Sequence, residues 1–307
     1  MSNLENPKVS VIVLGHGSRA ELSRCIKSLA ETEYSNLELI IVDQSRDGGL
    51  TTGAGELPEY LQKLGNVLAV HTHKNMGVSF GRNLGAMLAE GDILCFIDSD
   101  TEVTSNWLAP IVELLKARED VAICQSMILD SQDGSKPLIS QCFIDVYGGA
   151  HTLLSTRGLG GVSEAFYASG ASLAVRREVF KRLGMFDPYF FYGYEEADLA
   201  FRAWLTGYSV AFVPSSRVRH PPRNILRRPH YGGLYHLTRG WLALLIKNYG
   251  LAGILRYFIP LVLFMTAVAL HDLLHKRLQL AMVRIKALVD TFMSLKYLLQ
   301  QRSLVSS

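Results

Sequence analysis

Apolar residues in the first half of the chain alternate between continuous runs and helically spaced positions. Runs rich in Val, Ile and Leu predict five strands, at 8–15, 37–43, 66–73, 92–98 and 121–129. Apolar residues at helical spacing predict three helices, at 20–32, 79–90 and 105–120. Apolar strands that alternate with helices are typical of a mostly parallel sheet covered on both faces. We therefore predict an α/β fold with a Rossmann-like sheet.

The pattern changes after residue 222, where the chain becomes almost entirely apolar, basic and helix-forming. Its longest uncharged apolar run, Tyr257 to Leu270, has 14 residues, fewer than the ~20 that span a bilayer. We divide the chain into a domain at 1–222 and a helical segment at 223–307. This segment is expected to form a re-entrant hairpin that turns near Pro260, or amphipathic helices in the membrane interface. A soluble helical cap on the domain is the alternative.

Charge separates the same two parts. The 307 residues carry a net charge of +3, but residues 217–307 hold 14 Lys and Arg against 2 Asp and Glu. Each basic residue near anionic headgroups contributes ~1 kcal/mol, so we expect an anionic membrane surface, and no nucleic acid, as partner. The predicted location is the cytoplasmic face of the cell membrane. Four widely spaced cysteines predict free buried thiols.

Carboxylates follow two of the predicted strands. Asp43 ends the second strand, and Asp98-Ser99-Asp100 ends the fourth. In such sheets ligands bind beyond the carboxyl ends of the strands. Residues i and i+2 of an extended chain point to the same side, so Asp98 and Asp100 can converge on Mg²⁺ or Mn²⁺ bound to a diphosphate. A polar turn whose Asp side chains cap backbone amides is the alternative.

A second acidic group begins a predicted helix in "FFYGYEEADLAFR". Carboxylates in a first helical turn are favoured by the helix dipole, and Asp198 and Arg202 form an i, i+4 pair. The helix dipole and this ion pair alone would account for the acidic residues on structural grounds. The aromatic stretch "FDPYFFYGY" before them favours a further role as the wall of a sugar or base site.

Five segments in order carry a resemblance to a known family. They are "VSVIVLGHGSRAELSRCIKSL", "LIIVDQSRDGG", "NMGVSFGRNLGA", "GDILCFIDSDTEV" and "ASGASLAVRREVFKRLGMFDPYFFYGYEEADLAFRAWLTGY". From about Val9 to His220 the chain resembles family-2 inverting glycosyltransferases of the GT-A fold, notably the bacterial rhamnosyltransferase-like branch. The resemblance implies sugar transfer from a UDP-, TDP- or GDP-sugar to a hydroxyl of a lipid-linked or glycan acceptor.

The resemblance also implies residue roles on the donor side. Gly15 and His16 in the first loop, together with Asp43, would hold the nucleoside. Arg82 would lie near the diphosphate, and Asp98 would face the nucleotide. The family's usual P-T-Y-N in the first loop is Leu-Gly-His-Gly here, which puts side-chain contacts to the base in question.

The metal and the catalytic base are implied in the same way. Asp100 would bind Mg²⁺ or Mn²⁺, and His220 matches a histidine that approaches the metal or diphosphate; an ordinary loop histidine before Pro221 is the alternative. Glu196 stands where the family has its catalytic Asp base. The family's E-D pair is Glu195-Glu196 here, so the base is one methylene longer.

Two other functions remain open. A sugar nucleotidyltransferase would need a basic anchor for a triphosphate in the first loop, where only "GHGSR" is available. A non-catalytic nucleotide-sugar-binding scaffold of the same fold fits the altered first loop, but the retained Asp98, Asp100 and Glu196 oppose it.

Overall fold

The computed structural model of the chain describes residues 6–46, 64, 66–154, 160–222 and 231–305. A ten-stranded sheet forms its centre, and β8 and β9 form a separate two-stranded sheet. The strands are β1 Val9–Gly15, β2 Leu37–Asp43, β3 Val67–His71, β4 Ile93–Asp98, β5 Glu102–Val103, β6 Val121–Asp130, β7 Pro137–Ile139, β8 Cys142–Ile144, β9 Ala150–Thr152, β10 Ser163–Glu164, β11 Ser172–Arg176 and β12 Ser209–His220.

Helices cover the sheet and form the end of the chain. They are α1 Arg19–Leu29, α2 Val78–Leu88, α3 Ala109–Ala117, α4 Arg177–Arg182, α5 Glu195–Leu205, α6 Tyr231–Asn248, α7 Leu251–Leu274, α8 Leu278–Met293 and α9 Leu295–Val305. All eight predicted elements are present, most with ends shifted by a few residues. Helix α3 is shorter than predicted because it begins only where Pro110 occupies its first turn.

The strand order is β10-β12-β6-β11-β4-β1-β2-β3. Strands β1 to β4 run parallel, which confirms the mostly parallel sheet, whereas β11 lies antiparallel between β4 and β6. The register pairs Gly15 with Asp43 and Leu14 with Asp98. The carboxyl ends of β1, β2 and β4 therefore meet at one edge of the sheet.

Each face of the sheet has its own apolar core, as predicted. Alternate residues of β1 show this, since Val11 and Val13 point into the core that contains α1 and α3, and Ile12 points into the core that contains α2, α4 and α5. In the second core Phe96 packs against Phe180, with ring centroids 5.4 Å apart. Both faces are shielded from water.

All four cysteines are buried and free, as predicted, at Cys25, Cys95, Cys124 and Cys142. Burial disfavours the thiolate and raises the pKa of each thiol, to about 12 for Cys124 and Cys142. These thiols act as small apolar side chains of the core.

The C-terminal helices differ from the expectation at Pro260. Helix α7 continues through this proline and the chain reverses at 275–277, so the predicted turn near Pro260 is wrong. A π-helical turn at Ile254–Phe258 precedes the proline, and the Ile259 N–H bonds to the Ile254 carbonyl oxygen. This shift accommodates a residue that has no N–H of its own. The 14-residue run thus lies within a 24-residue helix whose most apolar window of 18 residues has a mean hydropathy of 2.0.

The helical segment packs against the first domain through a third apolar core, which Phe190 shares with Leu242 and Ile246 of α6. The predicted division at 222/223 falls beside residues 223–230, which lie outside the described residues, and it stays a prediction.

Candidate active site

The predicted nucleoside-side residues meet at the carboxyl edge of the sheet. His16 follows β1, and its Nδ1 lies 3.2 Å from the carbonyl oxygen of Gln44. Asp43 is buried at the end of β2, and its Oδ1 accepts the Ser45 N–H at 2.8 Å. Within the described part of the chain, Asp43 Oδ2 is buried without a hydrogen-bond donor. Because buried carboxylate oxygens normally have a donor, this atom is suited to bind a ligand N–H or O–H.

The predicted metal ligands converge beside this loop. One potential ligand atom each from Asp98, Asp100 and His220 lies within 4.8 Å of the others. The short strand β5 pairs antiparallel with β12, which holds the turn after β4 against the end of β12. His220 is the last residue of β12 and not a loop residue. The convergence that the sequence predicted from strand ends is therefore present in the structure.

The histidine geometry fits a cation at this position. His220 Nδ1 lies 2.8 Å from the carbonyl oxygen of Pro221, and because a carbonyl only accepts, Nδ1 carries the proton. For a neutral ring, Nε2 then presents a lone pair to Asp100 Oδ1 at 3.2 Å. With the ring protonated the two side chains form an ion pair, and with the ring neutral both atoms can bind the same cation. Two carboxylates and one imidazole are suitable ligands for Mg²⁺ or Mn²⁺ that also binds a diphosphate.

Arg82 connects this metal group to helix α5. Its guanidinium is 3% exposed and donates to Asp98 Oδ1 at 3.0 Å. Its other terminal nitrogen lies 3.1 Å from Glu195 Oε1 and 3.0 Å from Glu196 Oε1. Burial opposes the charge, but the three carboxylates outweigh burial and raise the pKa of Arg82. The sequence did not predict this bridge, and the implied position of Arg82 near the diphosphate stays a prediction.

Helix α5 places its two glutamates differently. Glu195 is fully buried, and burial together with the charge of Glu196 raises its pKa, although Arg82 opposes this shift. The Glu196 side chain is 13% exposed. Of the two glutamates, Glu196 is therefore the one that a molecule from solvent can reach.

Gly170 makes the bridge between Arg82 and Glu196 possible. A Cβ at this position would overlap both the Arg82 guanidinium and the Glu196 carboxylate. Since the resemblance implies Glu196 as the catalytic base of sugar transfer, we expect Gly170→Ala to lower the rate of that transfer ~10²-fold, because displacing catalytic groups by ~1 Å costs about that much. Steady-state kinetics measure the loss. Gly161→Ala is the control, since nothing lies within 4 Å of its added Cβ, and equal rates for both variants would contradict the role of the bridge.

A buried ion cluster lies behind α5. Arg202 donates to Asp198 Oδ2 at 2.8 Å, which confirms the predicted i, i+4 pair. The sequence did not predict that Lys247 of α6 joins them, with Nζ 2.9 Å from Asp198 Oδ1 and 2.5 Å from Asp187 Oδ2. Burial raises the pKa of Asp198, but Lys247 and Arg202 outweigh burial and lower it to about 2. A lysine inside the apolar stretch "WLALLIKNYG" was the available signal.

Comparison with known proteins identifies the family of this chain. The family model described as glycosyl transferase family 2 matches residues 10–184. Polypeptide N-acetylgalactosaminyltransferase 11 of Xenopus tropicalis is 30% identical over 243 residues, covering 73% of this chain and 39% of the relative. Polypeptide N-acetylgalactosaminyltransferase 4 of Mus musculus is 28% identical over 246 residues, covering 73% and 42%. The chain spans about two fifths of the length of these curated relatives.

Solved structures are similar in fold. GalNAc-T7 with UDP, GalNAc and Mn²⁺ superposes with a TM-score of 0.60 at 20% identity, covering 79% of this chain and 48% of that one. Mannosyltransferase PcManGT from Pyrobaculum calidifontis, in complex with GDP-Man and Mn²⁺, has a TM-score of 0.54 at 14% identity, covering 98% and 85%. These similarities confirm the predicted GT-A fold, whereas the rhamnosyltransferase-like branch stays a prediction. Since the family model covers more than half of the chain, the protein belongs to glycosyl transferase family 2.

Proposed function

We propose that the protein is an inverting glycosyltransferase that moves a sugar from a UDP-, TDP- or GDP-sugar to an acceptor hydroxyl. The observation that carries this proposal is the single network in which Arg82 joins Asp98 of the metal group to Glu196 on α5. Solved structures of similar fold contain UDP or GDP-Man together with Mn²⁺, which supports a nucleotide-sugar donor and a divalent cation here.

Each part of the network has one chemical task. Asp98, Asp100 and His220 would hold Mg²⁺ or Mn²⁺, which supplies Lewis acidity towards a diphosphate leaving group. Glu196 accepts the proton of the acceptor hydroxyl as general base. Its Oε1 is held by Arg82, so Oε2 remains for the hydroxyl. A hydroxyl oriented by Glu196 attacks the anomeric carbon once, and a single displacement inverts that centre.

Donor turnover with and without metal tests the proposal. A thermal-shift panel of UDP-, TDP- and GDP-sugars with Mn²⁺ or Mg²⁺ first identifies the donor. We expect chelation with EDTA to reduce turnover of this donor to background, and added Mn²⁺ or Mg²⁺ to restore it. Binding without any turnover, across varied acceptors, would instead identify a non-catalytic scaffold, and pyrophosphate formation would identify a nucleotidyltransferase.

The acceptor side of the proposal depends on α7 and α8. We propose that these helices bind the cytoplasmic face of a membrane, where the acceptor is lipid-linked or a growing glycan. Only 17% of the most apolar window of α7 is buried, and large side chains such as Leu263, Phe264 and Met282 are exposed. At 24 residues the helix is ~36 Å long and offers a long apolar surface to the membrane interface. A soluble cap would bury these side chains.

Liposome flotation tests the membrane proposal. We expect the full-length protein to float with anionic vesicles at low salt, and Leu263→Glu/Phe264→Glu to remain mostly in the soluble fraction because two charges oppose insertion. Leu205→Glu is the control, since Leu205 is similarly exposed but lies on α5. If the parent protein does not float with anionic vesicles, the helices act as a cap only.

A further inference from the structure

Helix α6 lies directly against the turn that begins α5. A Cβ added to Gly240 of α6 would lie 3.2 Å from the Gly193 carbonyl oxygen and 3.2 Å from the Tyr194 ring. In the other direction, a Cβ added to Gly193 would lie 2.5 Å from Leu237. The two segments are therefore in close van der Waals contact. A shift of α6 towards the turn would displace the turn.

The turn needs such support because of its backbone. Gly193 and Tyr194 have φ angles of 77° and 71°, a left-handed conformation that is sparsely populated for a residue such as tyrosine. Tyr194 is also the N-cap of α5 and makes no side-chain capping hydrogen bond. Such conformations persist when surrounding packing holds them. The next two residues are Glu195 and Glu196, so the packing that holds the turn also places the two glutamates.

A second contact holds α5 one helical turn after Tyr194. Lys247, near the end of α6, is 2% exposed and lies 2.9 Å from Asp198 Oδ1. The neighbouring Asn248 donates its side-chain N–H to the same oxygen at 3.1 Å. Asp198 is two residues beyond Glu196 on α5. Helix α6 thus contacts α5 on both sides of Glu196, by packing at Tyr194 and by charge at Asp198.

We propose that α6 positions Glu196 for sugar transfer, with Lys247 as the positioning residue. The proposal rests on the proposed function only for the identity of the reaction. It makes residues 231–248 part of the catalytic apparatus in addition to any role at a membrane. It also implies that movement of the C-terminal helices changes the rate of transfer and leaves donor binding unchanged, because Asp98 and Asp100 are attached to β4 and its turn.

Two variants test this positioning by different means. Lys247→Met removes the charge contact, and Gly240→Ala pushes α6 from the turn without changing any charge. Lys8→Met is the matched control, because Lys8 also pairs with a buried carboxylate, Glu38 at 2.9 Å, but before β1, at the opposite edge of the sheet from Glu196. Kinetics below each variant's unfolding temperature give kcat and donor KM. Hydrogen exchange of residues 191–205 reports the order of α5 independently of activity.

We expect Lys247→Met to lower kcat ~10-fold or more, as expected for a base displaced by less than 1 Å, with donor KM changed less than ~2-fold. Gly240→Ala gives a smaller loss in the same direction, and both variants speed exchange at the start of α5. Lys8→Met leaves kcat and this exchange as in the parent. Equal losses in Lys8→Met and Lys247→Met, or unchanged exchange in α5 in both test variants, would overturn the proposal. If the parent turns over no donor, the proposed function fails, and exchange alone decides whether α6 positions α5.

Discussion

Replacing Glu196 by Gln is expected to lower turnover ~10²–10⁴-fold, the usual contribution of a positioned general base. The amide keeps the shape of the side chain and can still accept a hydrogen bond from Arg82, but it cannot take the acceptor proton. Donor binding should remain nearly intact, because the metal group and Asp43 are unchanged. Single-turnover kinetics measure the chemical step, and calorimetry with the nucleotide sugar measures binding.

Glu195→Gln is the matched comparison for this prediction. Glu195 shares Arg82 with Glu196 but is only 2% exposed, so an acceptor hydroxyl does not reach its carboxylate. We expect a smaller loss of turnover than in Glu196→Gln. The opposite order of effects would assign the base to Glu195, and near-parental turnover in Glu196→Gln would remove this residue from the mechanism.

Asp198→Asn is expected to lower the free energy of unfolding by ~3–5 kcal/mol, the typical cost of breaking a buried ion pair from one side. The change leaves Arg202 and Lys247 buried with less compensating charge. Since domains are stable by only ~5–15 kcal/mol, the loss should be evident as a lower urea midpoint. Because the pKa of Asp198 is lower when folded, this contribution is complete above pH ~4 and is lost as pH falls through about 2.

Asp120→Asn tests whether an ion pair whose carboxyl has a similarly low pKa, but which is exposed, also stabilises the fold. A hydrogen bond from Arg118 lowers the pKa of Asp120 to about 2 as well, and the ion pair is short at 2.5 Å. Both side chains are half exposed, so water and salt screen the pair. We therefore expect the urea midpoint of Asp120→Asn to match that of the parent. Equal losses in the two variants would mean that the cluster at Asp198 gains nothing from burial.

Patterns of a few neighbouring residues predicted several strands and the ligand edge of the sheet. The apolar runs located β1 to β4 and β6, and the carboxylates after β2 and β4 located the ligand edge, because both signals lie within a few residues. The antiparallel β11 was not predicted, since its partners Leu94 and Ile123 are distant in sequence. The turn expected at Pro260 was wrong because a π-helical turn accommodates a proline, and no local pattern distinguishes the two outcomes.

Contacts between distant segments account for the rest of the site. Asp100 and His220 were predicted as metal ligands, and the structure brings them to 3.2 Å. Arg82 was assigned to the diphosphate, but its contacts with Glu195 and Glu196 span more than 110 residues and follow from the packing of α2 beside α5. Lys247 was counted among the basic residues expected near anionic lipid, but the structure buries it against Asp187 and Asp198, which no local pattern could indicate.

The four buried cysteines can report local unfolding of the protein. A thiol with a pKa well above neutrality and no access to solvent does not react with alkylating reagents, so the native protein should be silent to them. Cys95 and Cys124 lie in the central strands β4 and β6, Cys25 lies on α1, and Cys142 begins β8. Alkylation followed over time, and located by peptide mass, would thus time the exposure of two strands of the central sheet, of α1 and of the separate two-stranded sheet without any added label.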